Sequence, residues 1–285
     1  MLRRRFAVGF AALFLAALTA FSTVAVNTRS DASIYGGARR TLAVASTPEA
    51  LALFAAMTVP PTAARAEVIN ATILELKKSD VWRVLDVLYV HAAADLQAAL
   101  LNWKNPGQFT AVHSGGGTLT FEPDLGVTSD GTSYLDTGWN PATNGVNFRL
   151  HAAHLGIIIG TNVTDTNFDA GTGAGLRIGG KSGSTGTMRI NSGTTTGIPP
   201  VATSIGHLIG HRREGSATQL GSKDGATSHS ASAAANSSVT SANLLIAGNI
   251  SSTFSARRIA AVHAGGPLTD AQIISIYNAL AAYQQ

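Results

Sequence analysis

After Pro106-Gly107 the chain changes character: an Ala- and Leu-rich stretch gives way to Gly, Thr, Ser and Asn, broken by short apolar runs at 118–121, 134–135, 146–150 and 155–159. Runs that short suit strands better than helices. Turn-forming pairs recur among them: Asp130-Gly131, Asn144-Gly145, Gly179-Gly180, Asp224-Gly225 and Gly248-Asn249. Turn signals about every eight to twelve residues are the spacing of an antiparallel sandwich or jelly roll. No helix-length apolar pattern separates the runs, which argues against a parallel α/β sheet. The chain closes on Thr269-Asp270-Ala271-Gln272, a capping box. Ile273, Ile274, Tyr277 and Leu280 come next on one helical face, predicting a C-terminal helix that seals the sandwich.

Ahead of this region the periodicity is helical. Thr47-Pro48-Glu49 supplies a cap hydroxyl, an early proline and a first-turn acid, with Leu51, Phe54, Ala55 and Met57 behind them. Pro60-Pro61 stops that helix and Thr62 starts another, with Val68, Ile69, Ile73, Leu74 and Leu76 at helical spacing up to Lys77-Lys78. Residues 81–103 are again rich in Ala and Leu and predict a third helix, interrupted near His91. Trp82, Tyr89 and Trp103 at helical spacing predict core and not a ligand box. The expected organisation is an apolar leader and linker at 1–45, a helical segment at 46–106 and a mainly β sandwich domain with a C-terminal helix at 107–285.

The leader places Arg3, Arg4 and Arg5 before an apolar run at 6–21 and small residues to Ala25, the layout of a secretory signal. The run is shorter than the roughly 20 residues a spanning helix needs. Cleavage near residue 25 would make the protein secreted or periplasmic. A retained run would be a structural helix or the chain's one membrane contact. The net charge of +4 comes from 20 basic and 16 acidic residues, and setting aside Arg3, Arg4, Arg5, Arg39 and Arg40 leaves a nearly neutral body. A nucleic-acid partner is therefore not expected. The absence of cysteine excludes disulfides, thiolate chemistry and Cys-ligated metals.

Four groups of residues invite a chemical reading. Gly175 to Ser182 matches the phosphate-loop pattern Gly-x4-Gly-Lys-Ser, but the residues after Ser182 do not start a helix, so a glycine-rich hairpin is expected. Asp165, Asn167 and Asp169 place oxygen ligands at alternate positions and form a calcium candidate, although the glycine and bidentate glutamate of an EF-hand are missing. No other cofactor is expected. His207 and His211, on a stretch that alternates like a strand, lie about 13 Å apart if extended, too far to share a metal, and predict hydrogen-bonded or solvated imidazoles, as do His151 and His154. Glu122-Pro123-Asp124 is the nearest approach to the paired acids of a sandwich glucanase. It lacks the second glutamate, and no nucleophile elbow backs a serine, so catalysis is not expected.

The stretches TPEALALFAAM, PPTAAR, VWRVLDVLYVHAAADLQAALLNWKNPG, SDGTSYLDTGWNP and ARRIAAVHAGGPLTDAQIISIYNALAAY resemble a module of tail-region and other structural proteins of alphaproteobacterial phages and prophages. The resemblance runs from about residue 47 to 283. It implies a helical segment before a concanavalin A-like or LamG-like jelly-roll sandwich, and a non-enzymatic virion protein of the tail or head-decoration class. Its implied partners are other virion proteins or further copies of itself in a homo-oligomer, with a host-surface glycan as ligand. The alternative is an exported bacterial carbohydrate-binding module, and a third, weaker reading is a glycan-degrading enzyme.

Overall fold

Two antiparallel sheets stack into a sandwich in this computed structural model, which describes residues 45–285 apart from 174, 183–184, 199–202, 214–215, 228–229, 234, 236–237 and 251–252. The leader at 1–44, with its signal-like run at 6–21, lies outside the described residues. The larger sheet has the order β13 (Ser230–Ala233), β12 (Thr218–Lys223), β11 (Gly206–Arg212), β6 (Ala153–Ile159), β17 (Arg258–Gly265), β4 (Gly126–Ser129) and β3 (Leu119–Glu122). Its eighth strand, β1 (Leu85–Val90), also pairs with β17. The smaller sheet runs β10 (Thr196–Gly197), β9 (Thr185–Ile190), β8 (Leu176–Ser182), β7 (Ala170–Gly171), β14 (Leu245–Ile246), β5 (Ser133–Asp136) and β2 (Val112–Gly115). A short hairpin, β15 (Gly248–Ile250) and β16 (Thr253–Phe254), completes the strands. The mainly β, jelly-roll class expected from the sequence is the one observed.

Helices sit at both ends of the described chain. Thr47 caps α1 (Pro48–Ala56) through a 3.1 Å bond from the Ala50 amide, and Thr62 caps α2 (Ala63–Lys78). The capping box starts α6 (Asp270–Tyr283), with the Thr269 hydroxyl and the Gln272 side chain reciprocally bonded to backbone amides. Short turns α3 (Val81–Val84), α4 (Leu96–Ala99) and α5 (Pro141–Asn144) fill the connections.

Apolar side chains form two layers. Leu155, Ile157 and Ile159 of β6 face Ile178, Met188 and Ile190 of the smaller sheet. On the opposite face of the larger sheet, Ile158 and Ile209 meet Leu53, Ile73, Ile276 and Leu280 of the helices. The larger sheet is thus buried on both sides, and β6 has no exposed residue.

That double burial explains the main departure from the sequence reading. The third helix expected over 81–103 is in fact the buried strand β1 between two single-turn helices. A strand covered on both faces shows no polar alternation, so its apolar run is indistinguishable by period from a buried helix. Trp82, Tyr89 and Trp103 are core, as expected. Residues 146–150 form no strand, only an isolated Arg149–Ala152 bridge. Asp130-Gly131 and Asp224-Gly225 do mark turns, whereas Gly179-Gly180 lies inside β8 and Gly248-Asn249 begins β15.

Candidate functional site

The outward face of the seven-stranded sheet carries the most distinctive polar arrangement. Leu135, Ile246, Ala170, Ile178 and Met188 point into the sandwich, so strand alternation turns their neighbours outward. Backbone pairing aligns these neighbours in one row across six strands: Val112, Asp136, Leu245, Gly171, Arg177 and Arg189. An acid and an amide stand at one side of the row, because the Asn243 side chain donates to the Asp136 carboxylate at 3.0 Å. Two arginines stand at the other side.

Arg177 and Arg189 are direct cross-strand partners. Like charges placed opposite one another on a sheet repel. The Arg189 Nε donates to the Thr195 hydroxyl at 2.9 Å. The Arg177 guanidinium carbon lies over Phe168, 4.1 Å from the ring centre, and its buried Nε has no acceptor among the described residues. No carboxylate pairs with Arg177 among them either. Burial, and then the charge of Arg189, holds the Arg177 guanidinium below its ordinary pKa. Gly171 lets the two strands approach here: a Cβ there would come within 2.5 Å of the Leu176 carbonyl oxygen and 2.8 Å of the Arg177 Cβ. Tyr134, also outward from β5, stacks nearly parallel on Phe254 of β16 at 5.4 Å. The face therefore offers a guanidinium pair suited to an acidic group and aromatic surface suited to a ring, with the Asp136 carboxylate at the far side of the row able to accept from hydroxyls.

The calcium candidate resolves differently. Asp165, Asn167 and Asp169 lie on one loop, and that loop does close around a cation, but the cation is the Arg257 guanidinium. It donates to the backbone carbonyls of Val163 at 2.9 Å, Asp165 at 2.7 Å and Asn167 at 3.2 Å, and to the Asp169 carboxylate at 2.9 and 3.1 Å. Both side chains of the Asp169–Arg257 pair are fully buried. Ser255 and the Gly180 amide also donate to Asp169. Burial pushes the Asp169 carboxyl up against the pull of Arg257. The Asn167 side chain turns away to the Phe254 carbonyl, and Asp165 accepts the Asn167 amide. The alternating oxygens are thus a structural cage for an arginine, and a divalent ion at Asp169 would meet a buried positive charge. No cluster of three or more His, Asp or Glu able to hold a metal occurs among the described residues.

Gly175 to Ser182 is not a phosphate loop: residues 176–182 form β8, which pairs antiparallel with β9 at 185–190, so no helix follows Ser182 as a phosphate loop requires. Glu122 and Asp124 turn to different arginines, Glu122 to Arg258 at 3.0 Å and Asp124 to Arg65. His207 and His154 are hydrogen-bonded, as expected, but through a third histidine that spacing did not indicate. His263 bridges them, with its Nδ1 3.0 Å from the His154 Nε2 and its Nε2 2.7 Å from the His207 Nε2. Nor did the sequence pair Arg177 with Arg189, since a twelve-residue separation becomes a cross-strand contact only once the hairpin register is known.

No protein-family model matches the chain, and no curated protein matches it in sequence. Solved structures do share part of its architecture. Domain 4 of AbnA, a GH43 extracellular arabinanase from Geobacillus stearothermophilus solved with arabinotriose, aligns with 68% of this chain and 98% of its own at 15% identity and a TM-score of 0.47. Trypanosoma rangeli sialidase aligns over 76% of this chain at 9% identity and a TM-score of 0.46, and the match spans 39% of the sialidase. The CBM40 of a Ruminococcus gnavus IT-sialidase covers 58% of this chain and 97% of its own at 13% identity and a TM-score of 0.37.

Proposed function

We propose that the protein is a non-catalytic attachment module that binds acidic glycans on the outward face of its seven-stranded sheet. The observation that carries this reading is the Arg177–Arg189 pair. Two guanidinium groups set opposite one another, one of them half-buried over Phe168 without a carboxylate among the described residues, are an arrangement that a carboxylated or sulfated sugar would relieve. Tyr134 and Phe254 lie on the same side of the sheet, where a sugar ring presents its C–H face. In this reading the sandwich displays the binding face, and the protein serves as a virion component in the tail or head-decoration class, the placement its sequence resemblance implies. Export as a free-standing lectin-like module is the alternative setting for the same face.

The test is retention of the purified protein on immobilised alginate, a polyuronate, against immobilised dextran, a neutral polymer. Retention on alginate alone, weakened by salt and lost in Arg177→Ala, is the expected result. Equal retention on both, or alginate binding untouched by Arg177→Ala, overturns the assignment. Mass spectrometry of purified phage particles, looking for peptides of this chain, tests the virion setting separately.

A further inference from the structure

A pocket of about 520 Å³ lies away from the arginine row, formed by α3, the first residues of β1, the 104–109 loop and the α5 turn. Its volume falls in the range of small-molecule sites. Trp139 lines it, 1% exposed, and the buried indole Nε1 has no acceptor among the described residues. A buried donor without a partner destabilises the fold unless something outside the protein supplies the acceptor.

The polar lining pairs donors with acceptors. Asn105 donates to Gln108 Oε1 through its Nδ2, leaving Asn105 Oδ1 and Gln108 Nε2 without a partner among the described residues. Asn144 Oδ1 accepts the Asn140 amide, leaving its Nδ2 available. Two amide donors, one amide acceptor and an indole donor thus face a ligand whose groups must both give and take. Each charge at the pocket is already engaged within the protein: Arg83 Nη2 bonds the Asp80 carboxylate at 2.6 Å, Lys104 Nζ is tied to the Trp82 carbonyl at 2.5 Å, and the Asp86 carboxylate accepts the Asn147 and Phe148 amides at 2.8 and 2.9 Å. The apolar part is exposed in the same place. Val146 is 70% exposed, and Phe109 is held in the left-handed region at φ 56°, its carbonyl fixed at 2.6 Å by the Tyr89 hydroxyl. A bulky residue held there is backbone strain of the kind that clusters at ligand sites.

We propose that this pocket is a second, separate binding site for a neutral sugar ring, whose hydroxyls satisfy Trp139, Asn105, Gln108 and Asn144 while its C–H face rests on Phe109 and Val146. The proposal does not depend on the acidic-glycan reading of the sheet face. Hydroxyls, each donor and acceptor at once, match the mixed lining, whereas an anion would meet the Asp86 carboxylate.

The experiment is titration of the ¹⁵N-labelled full-length protein with glucose, galactose, mannose and N-acetylglucosamine, following the indole N–H resonances of its 3 tryptophans. Trp139→Phe assigns the relevant peak. At least one sugar is expected to move that peak saturably with a Kd in the mM range, and Gln108→Ala is expected to weaken it by about fivefold, one hydrogen bond's worth. Arg177→Ala should leave the titration unchanged, which keeps the fate of this site distinct from that of the sheet face. A Trp139 peak that stays still with all four sugars at about 100 mM, far above any Kd of use, overturns the proposal. So does a titration that Gln108→Ala does not alter.

Discussion

The two outward faces of the sandwich are built to opposite rules. On the seven-stranded sheet, β8 and β9 put arginines in the open with an aromatic ring beneath one of them. On the eight-stranded sheet, the central strands β11, β6 and β17 put histidines under the helices, where His154, His207 and His263 are at most 2% exposed. The covered face thus sets a row of imidazoles among the apolar contacts that Ile158 and Ile209 make with the helices. His154 Nδ1 faces the Gly266 carbonyl at 2.5 Å, so it must carry the proton. Its Nε2 is then an acceptor for His263 Nδ1–H, and the His263 Nε2 accepts in turn from His207 Nε2–H. One carbonyl at the end of the row fixes three tautomers and leaves His207 Nδ1 bare, buried without a partner among the described residues. A charge-poor sequence thus divides its titratable groups by burial: partly exposed guanidiniums on one face, buried neutral imidazoles on the other.

Acid should break this division first, and from the covered side. Burial pulls His154 down to about 4 and His207 to about 3, with the His154 ring adding to the effect on His207, and His263 is lowered by burial and by both neighbours. Folded values below the ordinary 6.5 mean that the unfolded chain binds the extra protons. The histidine contribution is therefore complete above pH 6.5 and is lost as pH falls from there toward 4 and 3. At pH 5 the expected loss is about 2 kcal/mol for each of His154 and His207, and His263 acts in the same direction. His91, buried and also lowered to about 4, acts in the same direction. Urea unfolding at pH 7 and pH 5 measures this. A midpoint that does not move would mean that the folded state takes up these protons as readily as the unfolded chain.

A single methyl group should come next in size. Gly156 lies beside His263 across β6 and β17, and a Cβ there would sit 2.1 Å from the His263 Cε1 and Nε2. The ring cannot stay, and its displacement severs both hydrogen bonds of the chain. Gly156→Ala is expected to cost about 2–3 kcal/mol, as an overpacked core site that also loses buried hydrogen bonds. A change under about 0.5 kcal/mol, the range of inert surface substitutions, would show that the chain is dispensable.

Much of this was legible from local chemistry. Thr47, Thr62 and the Thr269–Gln272 box are cap signals whose physics is contained in four residues, and all three helices begin where they say. Short β runs and turn pairs announced the sandwich for the same reason. What failed was whatever depends on what lies across a sheet. Residues 85–90 hide their strand because both faces are covered. Asp165, Asn167 and Asp169 read locally as a calcium loop, whereas the charge the loop closes around belongs to Arg257, 88 residues beyond Asp169. The histidine row needs His263, 109 residues from His154, and Arg177 opposes Arg189 only through the β8–β9 register. Spacing in the chain carries no trace of these pairings.

The smallest expected effect on stability is the sharpest probe of the open face. Arg177 is partly exposed, makes no ion pair among the described residues, and stands opposite a like charge, so Arg177→Ala trades a cation–π contact with Phe168 against relief of repulsion from Arg189. The two terms are each of order 0.5–1 kcal/mol, and the net change in unfolding free energy should stay within about 0.5 kcal/mol. Binding to a polyuronate should nonetheless fall by about tenfold or more, because a charge-assisted hydrogen bond lost at a binding face costs about 1.5–3 kcal/mol. Arg177→Lys separates charge from shape: it keeps the cation but lacks the planar fork that grips a carboxylate. Intermediate affinity for the lysine variant, at unchanged stability and with a salt dependence like that of the parent protein, would identify the guanidinium plane as the recognising element. If the alanine variant instead unfolds early, Arg177 belongs to the framework, and the open face resembles the covered one more than its chemistry suggests.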